Sequence, residues 1–223
     1  MLRQRITFRA RGEPLTLEGI LYRPDDSLLH PAAILCHPHP LYGGTMDNLV
    51  VVYVARALLD RGMASLRFNF RGVGGSEGRF AEGAGELNDV GGALDWLLAQ
   101  PGMDWARLYL VGYSFGAWVA LRYALTDERI QGYAGIGFPA WRLLEPPTPP
   151  AAAIKAYTRP KLFLTGDADE LTPLPALRDF VAGLAEPKTL HVLRVADHFF
   201  TGRTQEVGEI VGNFLAGLAV LAA

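Results

Sequence analysis

The segment Tyr109-Leu-Val-Gly112-Tyr113-Ser114-Phe115-Gly116-Ala117-Trp118 sets one serine between two glycines. An apolar, strand-like run precedes it and a helix-forming run follows, the context that a nucleophilic serine on a strand-to-helix turn requires. A turn this sharp strains the serine's backbone, so the positions two away on either side must be nearly free of side chain. Gly116, Ala117 and Ala120 also let the helix lie close to the sheet. The start of that helix aims free N–H groups and the positive end of its dipole at the serine oxygen. A serine that only capped the helix would not need Gly112.

A hydroxyl attacks poorly without a base, and the base needs a carboxylate to orient it. Behind this kind of elbow the order along the chain is acid, then histidine. Only His191 and His198 follow Ser114. His191 lies inside an apolar strand, whereas His198, in Val195-Ala196-Asp197-His198-Phe199-Phe200, sits on a loop that can reach the carboxyl edge of a sheet. The base is therefore read as His198. The acid comes from Gly166-Asp167-Ala168-Asp169-Glu170. Asp169, further into the loop, can turn back toward His198, while Asp167, nearer the strand end, could instead bond backbone amides of the turn. Asp169 is favoured. Asp197 is discounted because adjacent loop residues point apart.

A second stretch, Ala32-Ala-Ile-Leu-Cys36-His37-Pro38-His39-Pro40-Leu41-Tyr42-Gly43-Gly44, ends a strand-like run in two histidines. His-x-His at a strand end is a metal-ligand pattern, but one that belongs to barrels of about 250 residues or more. This chain has 223 residues, opens on a hairpin pattern and lacks further strand-end histidines. Arg67-Phe-Asn-Phe-Arg71-Gly72-Val-Gly74-Gly75-Ser76-Glu77 fails as a dinucleotide loop because Glu77 stands where the last glycine belongs. Arg71 is expected to anchor that loop more readily than to touch a substrate. Cys36 reads as a small core residue. Tyr42, Tyr113, Phe138, Trp141, Phe199 and Phe200 fall beside the expected site and could form an apolar acyl pocket.

These residues need a scaffold, and strand-like and helical periods alternate along the chain. Ile6–Phe8 and Thr16–Tyr22 form a hairpin-like start around Gly12-Glu13-Pro14. Further strands are expected at 32–36, 64–70, 108–111, 131–136, 161–165 and 190–195. Helices are expected at 47–59, along Leu87 to Leu98, and at 114–123, 174–184 and 206–218. Repeated strand-helix units imply a mostly parallel sheet covered on both faces. The Glu145-Pro-Pro-Thr-Pro-Pro150 stretch reads as a stiff loop within one domain spanning residues 1–223.

Composition narrows the function. A net charge of −2 offers no basic stripe for nucleic acid. The single cysteine excludes an internal disulfide and fits a reducing compartment. No apolar signal region follows the N-terminal basic residues, and the apolar C-terminal tract is shorter than a membrane span. A cytoplasmic protein without membrane or nucleic-acid partners is the expectation, and oligomeric state is not legible.

With these motifs in place, the chain resembles the α/β-hydrolase superfamily over nearly its whole length, and most closely the small bacterial hydrolases without a lid that carry HPHPLYGGTMDN and RFNFRGVG segments. The resemblance implies an eight-stranded, mostly parallel sheet without a cap domain, and hydrolysis without cofactor or metal. It assigns Ser114 as nucleophile, Asp169 as acid and His198 as base. The His37–Pro40 turn takes the place of the family's His-Gly turn, where a backbone amide helps bind an oxyanion. Phe115 supplies the partner amide. Because Pro38 and Pro40 have no N–H, His39 is the first choice of donor, ahead of Leu41 and Tyr42. The expected activity is a serine esterase acting on small esters of short or compact acyl groups, with Tyr42, Tyr113, Trp141 and Phe199 against the substrate. Peptidase or thioesterase action on the same triad, and a binding protein that kept only the fold, are the alternatives.

Overall fold

The computed structural model describes residues 2–25, 28–144 and 151–221. The opening runs pair as an antiparallel hairpin of β1 (Leu2–Arg9) and β2 (Thr16–Arg23), with Leu2 opposite Arg23 and Arg9 opposite Thr16. Six further strands follow: β3 (His30–Cys36), β4 (Ala64–Phe68), β5 (Met103–Tyr113), β6 (Ile130–Ile136), β7 (Lys161–Gly166) and β8 (Lys188–Leu193). They join one eight-stranded sheet in the order β1-β2-β4-β3-β5-β6-β7-β8. β2 pairs antiparallel with β4, and every pairing from β4 to β8 is parallel. The central strands β3 and β4 are buried along their whole length, so both faces need cover, and their continuous apolar sequence reflects that.

The cover comes from the crossovers. Helices α1 (Leu49–Leu59) and α6 (Thr204–Leu221) pack on one face, where Val50, Val54, Leu58, Val207, Val211 and Leu215 join the inward side chains of the sheet. The two helices meet closely. A Cβ at Gly208 would press on the Tyr53 backbone, and Arg61 bridges to Glu209 and Asn213. The other face is covered by α2 (Gly85–Leu98), α3 (Phe115–Ala124), α4 (Ala151–Ala156) and α5 (Leu174–Ala182).

Several boundaries differ from the sequence reading. α1 starts at Leu49 because the Asn48 side chain accepts from the Val50 amide and caps it. β4 stops at Phe68, and β5 begins at Met103, ahead of its apolar stretch. β8 ends at Leu193, and Val195 takes a left-handed φ of 52° instead of extending the strand. Two 3₁₀ turns, Pro40–Tyr42 and Ala140–Leu144, and helix α4 are additional elements. The proline-rich 145–150 loop lies outside the described residues. Among the described residues no helix is long and apolar enough to cross a membrane.

Candidate active site

The turn from β5 to α3 stands at the carboxyl ends of the parallel strands. Ser114 adopts φ 55° and ψ −120°, a region that costs a side-chain-bearing residue about 1–3 kcal/mol. Its amide donates to the Ile136 carbonyl at 2.8 Å, which ties the strained residue to β6. A Cβ at Gly112 would overlap the Gly116 carbonyl, and one at Gly116 would overlap the carbonyls of Cys36 and His37. Both glycines are therefore required by backbone contact. The second contact also sets the start of α3 against the end of β3.

His198 reaches this serine from the loop after β8. Its Nε2 lies 3.1 Å from Ser114 Oγ, and its Nδ1 lies 2.8 Å from Asp169 Oδ2. The other Asp169 oxygen accepts the amides of Leu171 and Thr172 at 2.9 and 2.8 Å, which fixes the carboxylate. The loop holds its shape through left-handed Val195 and Phe200, and the Tyr113 hydroxyl donates to the His198 carbonyl at 2.9 Å. Gly137 makes room for the imidazole, since a Cβ there would lie 3.0 Å from His198 Cε1. Asp167 is exposed and faces away, accepting the Val195 amide at 2.6 Å. His191 remains within β8.

The turn after β3 is held from outside by the segment that leaves β4. Phe70 donates its amide to His37 Nε2 at 3.0 Å, and His37 Nδ1 donates to the Pro38 carbonyl at 2.6 Å. Both imidazole nitrogens are thereby engaged, and burial pushes the group down to about 4. Asn69 accepts the Met46 amide, and Arg67 donates to the Met46 carbonyl and pairs with Asp47. Arg71 binds Asp89 and Glu13, which joins its loop to α2 and the hairpin and keeps it away from the serine. Cys36 is buried in β3, and desolvation raises its thiol far above the usual range.

Within the turn, the amides of Tyr42 and Gly44 donate to the His39 carbonyl, and that of Leu41 donates to His39 Nδ1. The two alternative donors are thus spent inside the turn, and no described hydrogen bond uses the His39 N–H. Phe115 is the first residue of α3, where an N–H has no carbonyl within the helix. The two residues are neighbours, with ring centroids 5.0 Å apart.

Ser114 and His198 open onto a cavity of about 710 Å³ lined by Tyr42, Tyr113, Trp141, Arg142, Leu171 and Phe199, with His39, Asn48 and Phe115. Tyr42, Trp141 and Phe199 are exposed at its mouth, whereas Tyr113 is buried in its floor. Phe138 and Phe200, grouped with them in sequence, are core residues. Phe138 packs on Phe163 and Phe180, and Phe200 on Tyr113. Sequence reasoning missed Arg142, Asn48 and Leu171. Only proximity to Trp141 and to the acid loop could have pointed to two of them. Among the described residues no group of three or more His, Cys, Asp or Glu side chains is placed to hold a metal ion.

A family model described as "Alpha/beta hydrolase domain" matches residues 33–214. An alpha-beta serine hydrolase homologue from Coxiella burnetii superposes with a TM-score of 0.82 at 32% identity, covering 96% of this chain and 97% of its own. A serine hydrolase without lid from Xanthomonas campestris gives 0.79 at 34% identity, with 95% and 92% covered. An uncharacterised protein of Rickettsia prowazekii is 35% identical over 198 residues, 83% of this chain and 78% of that protein.

Proposed function

Because the chain belongs to the α/β-hydrolase family, we propose that it is a serine hydrolase cleaving carboxylic esters of short or compact acyl groups through an acyl-enzyme. The observation that carries this reading is the unbroken line Ser114–His198–Asp169 at the floor of an open cavity. Ser114 Oγ bonds to the ester carbonyl carbon as His198 Nε2 takes the serine proton. The carbonyl oxygen becomes an oxyanion, held by the His39 and Phe115 amides. As the intermediate collapses, the bond to the alcohol oxygen breaks and His198 returns the proton to that oxygen. Water then repeats the sequence on the acyl-serine, activated by the same imidazole, and frees the acid. Asp169 keeps the Nδ1 proton in place and stabilises the imidazolium without accepting the proton itself.

The supporting features are chemical as well as geometric. Bonding of Nδ1 to a buried carboxylate leaves Nε2 as the lone-pair nitrogen facing the serine. Two backbone donors, one of them at the start of α3, suit a developing negative charge, and each such donor is worth about 10²–10³ in turnover. Tyr42, Tyr113, Trp141 and Phe199 give the cavity apolar walls suited to a small acyl or alcohol group.

A fluorophosphonate probe tests the reading. We expect stoichiometric labelling at Ser114 that is lost in Ser114→Ala and His198→Ala, together with hydrolysis of p-nitrophenyl butyrate that survives dialysis against a strong chelator. A folded wild-type protein that neither labels nor hydrolyses the ester would retire the reading in favour of a binding role. Loss of turnover to the chelator, restored by zinc, would move the chemistry to a metal.

A further inference from the structure

Two residues carry the proposed oxyanion donors, and a third, from a different loop, touches both. Phe80 is half-buried in the segment between β4 and α2. Its ring centroid lies 4.8 Å from that of His39 and 5.5 Å from that of Phe115, which are themselves 5.0 Å apart. The three rings close a triangle, each side within the range at which aromatic faces and edges attract. Phe80 is not among the residues that line the cavity. Any influence it has on chemistry there passes through the two residues it holds.

That hold matters because the turn is otherwise loosely joined to the helix. Gly116 packs on the carbonyls of Cys36 and His37, but beyond them the described hydrogen bonds from His39 to Gly44 run within the turn. Among the described residues no hydrogen bond joins residues 38–44 to the first turn of α3. Phe80, by contrast, stands on a rigid base. The loop after it bends through left-handed Glu82 and Gly83, at φ 54° and 88°, and a side-chain-bearing residue stays in that region only where its surroundings enforce it. Glu86, wholly buried in the first turn of α2, does so. Its two oxygens accept the amides of Ala81 at 2.8 Å and Gly83 at 2.7 Å. A Cβ at Gly83 would stand 2.1 Å from Trp118 Cζ3, and the Gly83 carbonyl accepts from Arg122 Nη1 at 3.1 Å. The base of Phe80 is thereby tied to α3, the helix that begins at Phe115.

We propose that Phe80 is a positioning residue for the oxyanion site, a wedge that keeps the Pro40–Tyr42 turn at the distance from α3 where the His39 and Phe115 amides converge on one oxygen. The proposal rests on the serine-hydrolase function and the two donors given above. Donors aimed at the tetrahedral oxyanion act on the transition state more than on the flat ester carbonyl. A slack turn therefore costs kcat and leaves KM nearly unchanged.

The test measures Phe80→Ala and Phe80→Leu on p-nitrophenyl butyrate, with rates counted per site titrated to completion by a fluorophosphonate, so that unfolded protein does not enter. In the alanine variant kcat should fall by about ten- to a hundredfold, short of the loss of a whole donor, with KM within about twofold of wild type. The leucine variant should lose less. n-Butylboronic acid, whose boron bonds to Ser114 Oγ and sets an oxygen in the oxyanion site, should lose affinity by the same factor as kcat/KM in both variants. A side chain that only supported the fold would lower the melting temperature and the titrated fraction but leave kcat per site and boronate affinity intact. That result would overturn the proposal, and so would a loss carried by KM. If wild type neither hydrolysed the ester nor bound the boronate, the serine-hydrolase reading would fail, and N–H residual dipolar couplings would judge the wedge separately. The coupling of His39 should change in Phe80→Ala while those of β3 stay fixed, and an unchanged His39 coupling would overturn the positioning role. The leucine variant keeps the test decisive should the alanine variant fold poorly.

Discussion

Two aspartates, one residue apart, serve different ends because of where the backbone leaves β7. Asp167 is still at the strand end and fastens the neighbouring loop through the Val195 amide, while Asp169 has turned inward to His198. In the proposed mechanism Asp169→Asn should lower kcat by about 10⁴, as loss of the orienting carboxylate does in the serine triad. Asp167→Asn should act on stability and leave most of kcat in place. Steady-state kinetics on p-nitrophenyl butyrate with thermal melts of both variants checks this, and the opposite ranking would hand the acid role to Asp167. The juxtaposition of Ser114, His198 and Asp169 was legible because chain order and strand position leave few options: two histidines after Ser114, one of them locked in β8. Arg142 was not legible, since no local pattern tells which loop side chain folds back over a helix start. The same lack of a local signal hid the difference between exposed Phe199 and buried Phe200.

Strands and helices were readable where their periods are long and their burial is two-sided, as in β3 and β7. Ends were less so, because caps and left-handed residues set them. Asn48 moves the start of α1, and Val195 stops β8 from continuing. The Pro40–Tyr42 turn has no period at all. Its shape depends on the segment leaving β4, some way along the chain, and His37 is one of the links between the two. That link predicts a pH effect. An unfolded histidine takes up a proton near its ordinary value of 6.5, whereas this buried one resists until about 4. Below 6.5 the unfolded chain therefore binds more protons, so the stability contributed by neutral His37 is full at pH 7 and declines as pH falls toward 4. At 1.36 kcal/mol per pH unit, the loss from pH 7 to pH 5 is about 2 kcal/mol. Urea unfolding at the two pH values should show wild type losing that much more than His37→Gln. Parallel losses would assign the effect to other groups.

At the scale of the molecule, the described residues between β6 and β7 supply one 3₁₀ turn, whose Trp141 lines the cavity, and the short α4, which does not line it. The relative from Xanthomonas campestris is a hydrolase without lid. With no cap domain among the described residues, a lipid surface has no closed state to open. Turnover of p-nitrophenyl esters from acetyl to palmitoyl should rise early and then fall, since each methylene gives at most about 0.8 kcal/mol and only while it is buried. No jump should occur at the critical micelle concentration. A jump there, or best turnover with palmitate, would show that residues near Trp141 move as a lid. The pairing of α1 with α6 bears on synthesis. Ribosomes release α1 early, yet the helix that packs beside it over the same sheet face is made only after all eight strands. Until then Val54, Leu58 and their neighbours lack the cover that α6 gives them. A nascent chain can therefore close the α2–α3 side while still attached and must leave the α1 side open to chaperones until α6 emerges. Stalled chains ending before Thr204 should be cut by protease at α1, and chains extended past Leu221 by the length of the exit tunnel should not.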